Sequence, residues 1–188
     1  MIKSFFKWLF NRRSFKSITK NCPCYDKDGN LIGWFSRSIS VVTATFLKDN
    51  GKICVLASKR GKGTPDPEFI GAWNLCCGYL DFSETCKDAA IRETREETGI
   101  VIPKNNIYFD SINDDPRTDK RQNVTIRYYA VLEGRKESFE ALLSHKYNEK
   151  DEVDEIKFIE LTDVVNYNWA FNHARLIASI YQRNKLRI

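Results

Sequence analysis

No stretch of this 188-residue chain is apolar for long enough to cross a membrane. The nearest approach, residues 5–10 (FFKWLF), is interrupted by Lys7, and no small-residue cleavage site follows it, so neither stable membrane insertion nor a secretory leader is expected. Internal repeats and low-complexity tracts are missing as well. Cysteine occurs six times but never as two spaced pairs. Cys22 and Cys24 form half of a metal clip, yet no second pair lies two to four residues apart, which argues against a structural zinc site. Acidic residues are wholly lacking from residues 1–20, which carry Lys3, Lys7, Arg12, Arg13, Lys16 and Lys20. Taking those six from the 30 basic groups leaves 24 against 25 acidic ones, so the net charge of +5 belongs to one end of the chain. That distribution excludes a basic face covering the whole domain, and no nucleic-acid partner is expected.

What remains is ordinary globular composition, with 42% apolar, 29% charged and 13% aromatic residues, enough for one domain with its own core. Residues 1–38 read as a basic, aromatic N-terminal extension. Its Phe and Trp residues suit a helix packed on its own domain or on a partner subunit, and a homodimer is left open. Residues 39–188 form the domain proper. Six cysteines without a leader fit a reducing cytoplasm. Cys54 and Cys86 sit in apolar patterns and read as small buried side chains.

From residue 39 onward, strand-like and helix-like patterns are interspersed, as in a sheet covered by helices. Residues 39–47 (ISVVTATFL) have the β-branched, apolar content of a buried strand. Asp49-Asn50-Gly51 is a turn that leads residues 52–58 (KICVLAS) back as a hairpin. Residues 60–68 (RGKGTPDPE) are a Gly/Pro loop, and residues 73–81 (WNLCCGYLD) are strand-like again. A helix is expected over 84–98, with Ser83 as its N-cap and Gly99 just past its end. Cys86, Ala89, Ala90 and Thr94 give it a small-residue face. Further strands are expected at 107–112, 124–132 and 153–161. Helices are expected at 137–147 and 169–184, and the stretch between residues 112 and 124 reads as a charged loop.

The most informative stretch is residues 78–100, GYLDFSETCKDAAIRETREETGI. It places Glu93, Glu96 and Glu97 within one helical turn, beside Arg92. Like charges so close disfavour a bare helix unless basic partners or a bound hard cation offset them. Taken alone, RETREE also fits a solvated surface where Arg and Glu pair. The wider spacing points elsewhere: Gly78, five residues, Glu84, seven residues, then Arg92-Glu93-Thr94-Arg95-Glu96-Glu97-Thr98-Gly99-Ile100. This resembles the complete box of the Nudix hydrolase superfamily at every charged and glycine position. Thr94 stands where an aliphatic residue is usual, Cys76-Cys77 where Pro-Gly is usual, and Ser83 where Gly is frequent before Glu84.

The resemblance implies an α/β/α sandwich around a mixed β-sheet, with the box forming a loop-helix-loop. It implies a metal-dependent hydrolase that cleaves the diphosphate bond of a nucleoside diphosphate linked to another moiety, of ADP-ribose, sugar-nucleotide or nucleoside-triphosphate type. Glu93, Glu96 and Glu97 correspond to ligands of Mg²⁺ or Mn²⁺, with the main-chain carbonyl of Cys77 as a further ligand. Arg92 corresponds to the residue that holds a box glutamate, and Glu84 to a loop support. A distal carboxylate often completes such a site. Among Glu149, Asp151, Glu152, Asp154 and Glu155, the candidates are Glu152 and Glu155. Arg37, Lys59, Arg60 and Lys62 are candidate phosphate contacts. Trp34, Phe35, Trp73 and Tyr79 are candidate base contacts, although Trp73 suits the core better. Two other readings stay open: a non-catalytic nucleotide-binding module, and a diphosphate isomerase using Cys76.

Overall fold

In the computed structural model, which describes residues 21–117, 123–144 and 151–188, the chain falls into two units that divide between Ser38 and Ile39. The basic-aromatic stretch of residues 1–20, the helix expected there, and Glu149 lie outside the described residues. What is described of the first unit is a ribbon that sequence patterning did not anticipate. Strand β1 (Cys22–Tyr25) pairs antiparallel with β2 (Leu31–Phe35). Their turn is closed by the Asp26 carboxylate, which accepts the N–H groups of Asp28 and Asn30 at 2.9 and 2.8 Å.

The second unit is built on β3 (Ile39–Asp49), whose residues 41–47 are all buried. A strand covered on both faces reads as a continuous apolar run, which is why this segment shows little alternation. Asn50 and Gly51, at φ of 46° and 81°, make the expected two-residue turn into β4 (Lys52–Arg60). The strands β5 (Trp73–Asn74), β6 (Cys76–Tyr79), β7 (Ile107–Asn113), β8 (Val124–Glu133) and β9 (Val153–Glu160) complete a mixed sheet with β3 and β4. Among these strands β3 and β8 pair in parallel and the other pairings are antiparallel.

Edge sharing within this sheet decides where the site lies. Strand β8 occupies one edge of β3 along its length, so β4 and β6 must share the other. β4 pairs with β3 over residues 52–55, and β6 pairs with β3 over residues 76–79. The two long strands therefore part like a fork, and residues 73–79 are wedged into it, paired first with β4 and then with β3. Alternation sorts the core onto two faces. Val42, Ala44 and Phe46 pack with Ile177 and Ile180 of a C-terminal helix, α3 (His173–Asn184). On the opposite face Val41 packs with Ala89 and Ala90 of α1 (Cys86–Thr98), and Leu47 lies over the short α2 (Lys136–Glu140). The expected α/β/α sandwich around a mixed sheet is the observed architecture.

Three local expectations change. The helix over the box begins at Cys86, with Thr85 and not Ser83 as its N-cap. The Thr85 hydroxyl accepts the Asp88 N–H at 3.1 Å, while Ser83 sits in the loop at φ 65°. Of the helix expected at 137–147, the described residues form a five-residue helix, Lys136–Glu140, and residues 145–147 lie outside the described residues. The expected helix at 169–184 is split, because Phe171 and Asn172 take left-handed φ values of 53° and 59° and α3 begins at His173. Phe46 is fully buried between β3 and α3. Phe46→Ala is expected to lower unfolding free energy by about 3–5 kcal/mol, read from denaturant melts.

Candidate functional site

The wedge in the fork places Gly78 against α1. A Cβ built on Gly78 would lie 2.1 Å from the carboxyl carbon of Glu93, so no side chain fits where the Glu93 carboxylate rests. This accounts for glycine at the head of the box. At the other end Gly99 closes α1 at φ 80°. Thr94, the departure at the apolar position, is fully buried, and its hydroxyl donates to the Ala90 carbonyl at 2.8 Å. The hydroxyl is satisfied within the helix, so Thr fills the space of an aliphatic residue without an unpaired polar atom.

Arg92 is the hub of the site. Its Nε and Nη2 donate to both oxygens of Glu84, at 3.1 and 2.7 Å. Nη2 also donates to the Tyr79 carbonyl at 3.0 Å, and Nη1 to Glu93 and Glu96 at 2.8 and 3.0 Å. The Glu84 carboxylate accepts the Asp81 N–H at 2.8 Å as well. The fork-shaped guanidinium thus ties the loop before α1 to two glutamates on the helix. The Arg92–Glu96 pair matches their four-residue spacing on one helix face. The hydrogen bond from Arg92 holds the Glu84 carboxyl below its usual range, and Glu84 in turn raises the guanidinium.

Glu97 is held differently. Its Oε1 accepts the Cys77 N–H at 2.9 Å, and its Oε2 accepts the Ser58 hydroxyl at 2.6 Å. Desolvation nevertheless pushes its carboxyl up to about 7, with nearby Glu93 adding to the rise. Desolvation raises Glu93 too, against the pull of Arg92. The Cys77 thiol is pushed up to about 12 by burial and by Glu97, so the sulfur stays protonated. Ser58 gives no signal in the sequence, because a hydroxyl at the end of an apolar strand carries no motif. Only the fork between β3 and β4 brings it to α1.

These groups open onto a cavity of about 1060 Å³. Glu93, Glu96, Glu97, Cys77 and Arg92 line it, as does Glu152. Glu152 reaches the cavity because its carbonyl accepts the Gly61 N–H at 2.7 Å, which ties its segment to the loop after β4. Glu155 instead pairs with Lys59 across the β4–β9 ladder at 3.5 Å and with Lys157 of its own strand at 3.3 Å. Of the candidate phosphate contacts, Arg60 lines the cavity. It is buried, ion-paired to Asp66 at 3.1 Å and stacked over Phe171. Tyr79 lines the cavity, whereas Trp73 is buried against Tyr167 in the core. Trp34 and Phe35 belong to the β1–β2 ribbon.

His173 is a cavity residue that its amphipathic setting concealed. Its Nδ1 accepts the Leu75 N–H at 3.0 Å, and desolvation lowers its pKa to about 3, so the imidazole is neutral with its proton on Nε2.

The donor set fits a hard divalent cation. Three carboxylates and a main-chain carbonyl offer oxygen donors of the hard type, and two of the carboxylates are desolvated enough to gain from a cation beside them. Among the described residues, no three His, Cys, Asp or Glu side chains already stand as an ion-binding group.

A model of the NUDIX domain matches residues 37–180. The chain belongs to the Nudix family. Its fold is shared with the Nudix domain of Shewanella oneidensis NrtR, solved with ADP ribose, at a TM-score of 0.65 and 22% identity over 95% of this chain and 97% of that one. A MutT/nudix family protein from Enterococcus faecalis superposes at 0.64 with 22% identity, covering 98% of this chain and 70% of its own. A bifunctional NMN adenylyltransferase/ADP ribose pyrophosphatase from Francisella tularensis, solved with AMP and a manganese ion, gives 0.54 and 19% over 79% and 42%. No curated protein sequence matches the chain significantly.

The raised Glu97 carboxyl sets a pH dependence on this Nudix box. A carboxyl whose folded value exceeds its ordinary 4.5 contributes stability below that value and loses it as pH rises toward about 7. Without metal, Glu97→Gln is therefore expected to melt higher than the wild type at pH 8, and the gain should vanish at pH 4. Thermal melts in chelator at the two pH values check this.

Proposed function

We propose that this Nudix protein is a metal-dependent diphosphohydrolase that cleaves the diphosphate of a nucleoside diphosphate joined to another moiety. The observation that carries this reading is the Arg92-centred array of Glu93 and Glu96, which together with Glu97 lines a cavity large enough for a nucleotide. Glu93, Glu96, Glu97 and the Cys77 carbonyl would hold Mg²⁺ or Mn²⁺. When bound, such ions supply Lewis acidity and offset charge on the phosphate oxygens. Arg92 keeps two of the carboxylates in place and anchors them to the loop through Glu84 and Tyr79. The carboxylate wall positions the attacking water and takes its proton, and Glu152, which also lines the cavity, supplies the distal carboxylate of this reading. Attack at phosphorus then releases two phosphate-bearing products.

Neutral Cys76 and Cys77 weigh against the isomerase reading. Cys76 is almost fully buried outside the cavity lining, and burial raises both thiols well above the usual range. The binding-module reading differs in outcome: tight nucleotide binding without turnover. ADP ribose is a suitable first probe for both readings, since the S. oneidensis domain binds it.

With Mg²⁺, hydrolysis of ADP ribose and related diphosphates is to be followed as phosphate released by a coupled phosphatase. Glu96→Gln and Glu97→Gln are each expected to lower kcat by about 10²–10³-fold while circular dichroism stays native. Wild-type turnover retained in both variants would overturn the assignment. Gly78→Ala is expected to cut kcat by at least about 10-fold, because the added methyl displaces the Glu93 carboxylate.

A further inference from the structure

The cavity has a second wall, and it is basic. Its floor is the face of the sheet that α3 leaves bare below Phe46. Register places Cys77 of β6, Val42 of β3 and Arg127 of β8 side by side in one row. The next row holds Tyr79, Ser40 and Thr125, with the Ser40 and Thr125 hydroxyls 2.9 Å apart. Arg127 thus stands two strand spacings, about 10 Å, from the backbone of Cys77. Arg175, near the start of α3, lines the same cavity.

The charge balance at this wall is unusual. Arg127 is half-buried, yet among the described residues its guanidinium has no ion pair or hydrogen bond, and neither does that of Arg175. The nearest carboxylate of consequence, Asp110, is fully engaged. It accepts from Arg183 at 2.6 Å, from Asn184 at 3.0 Å and from Ser111 at 2.7 Å. Burial lowers the Arg127 pKa despite the attraction of Asp110, the mark of a desolvated cation lacking a full counter-charge. Neutral His173, which also lines the cavity, adds an N–H donor without adding charge. A partly desolvated guanidinium facing an open cavity is the usual means of gripping an oxyanion.

We propose that Arg127 and Arg175 form a second anion subsite, which takes a phosphate monoester carried by the substrate in addition to its scissile diphosphate. The substrate class is then a nucleoside diphosphate compound with a further phosphate on its nucleoside. The subsite follows from the basic wall alone; naming its occupant as part of a substrate rests on the hydrolase reading. Metal ions at the glutamate wall would offset the charge of the diphosphate, and the basic wall offsets that of the additional group.

The test separates the two readings because it needs no turnover. The full-length chain is titrated calorimetrically with AMP, adenosine 2′,5′-bisphosphate and adenosine 3′,5′-bisphosphate. At least one bisphosphate is expected to bind about tenfold or more tightly than AMP. Arg127→Gln is expected to erase that preference while leaving AMP affinity within about twofold, and Arg127→Lys to restore part of it. Arg175→Gln, a change on the exposed side of α3, is expected to reduce the preference several-fold and guards against a folding defect in the strand variant. Equal affinity for all three nucleotides would overturn the proposal, as would an equal loss for AMP and bisphosphate in Arg127→Gln, which would assign the guanidinium to a phosphate common to both. If bisphosphate binding depends on Arg127 but no diphosphate is hydrolysed, the subsite stands and the hydrolase reading falls.

Discussion

A single guanidinium organises the site. Arg92 donates to two glutamates on its own helix, to both oxygens of Glu84 in the preceding loop and to the Tyr79 carbonyl at the end of β6. Without that cation, Glu93 and Glu96 would repel one another on adjoining turns, and the loop would lose its ties to the helix through Glu84 and the Tyr79 carbonyl. Its worth lies in geometry more than in stability, because a network with partial exposure contributes modestly to folding. It keeps carboxylates that disfavour each other at fixed positions beside a cavity.

The fork between β3 and β4 is the second constraint. A sheet strand has two edges, and β8 fills one edge of β3 entirely, so the wedged segment 73–79 can pair only where β4 has parted from β3. That wedge carries three features to one place: the close approach of Gly78 to Glu93, the Cys77 N–H to Glu97, and the Ser58 hydroxyl to the same carboxylate. The consequence is electrostatic. Glu97 is drawn into desolvated surroundings that raise its carboxyl to about 7, whereas Glu84, held by Arg92, stays low. Two glutamates of one box therefore differ in acidity because of what lies behind them.

Much of the fold was legible from patterning. The hairpin through Asn50-Gly51, the apolar run of β3, the strand before the box and the Gly99 stop all follow from local chemistry, and each is present. The errors are local as well. Ser83 and Thr85 are both acceptable caps by residue type, and only the loop's path to Arg92 favours Thr85. The break before α3 was invisible because Phe171 and Asn172 fit an amphipathic pattern as readily as they fit a kink. The β1–β2 ribbon carries little sequence signal because its strands are short and bear exposed Leu31, Ile32 and Trp34, which resemble a loose extension.

By itself the sequence determined the acidic helix, its arginine, its flanking glycines and hence the family, because charge spacing along one helix is a local property that survives any packing. Tertiary structure alone decided which distant residues meet that helix. Ser58 reaches Glu97 through the fork, Glu152 enters the cavity by way of the Gly61 loop, and Arg127, Arg175 and His173 line the same cavity from other elements. Their roles depend on strand register and on where α3 begins, and both are settled by long-range pairing and burial, which no short window of residues encodes.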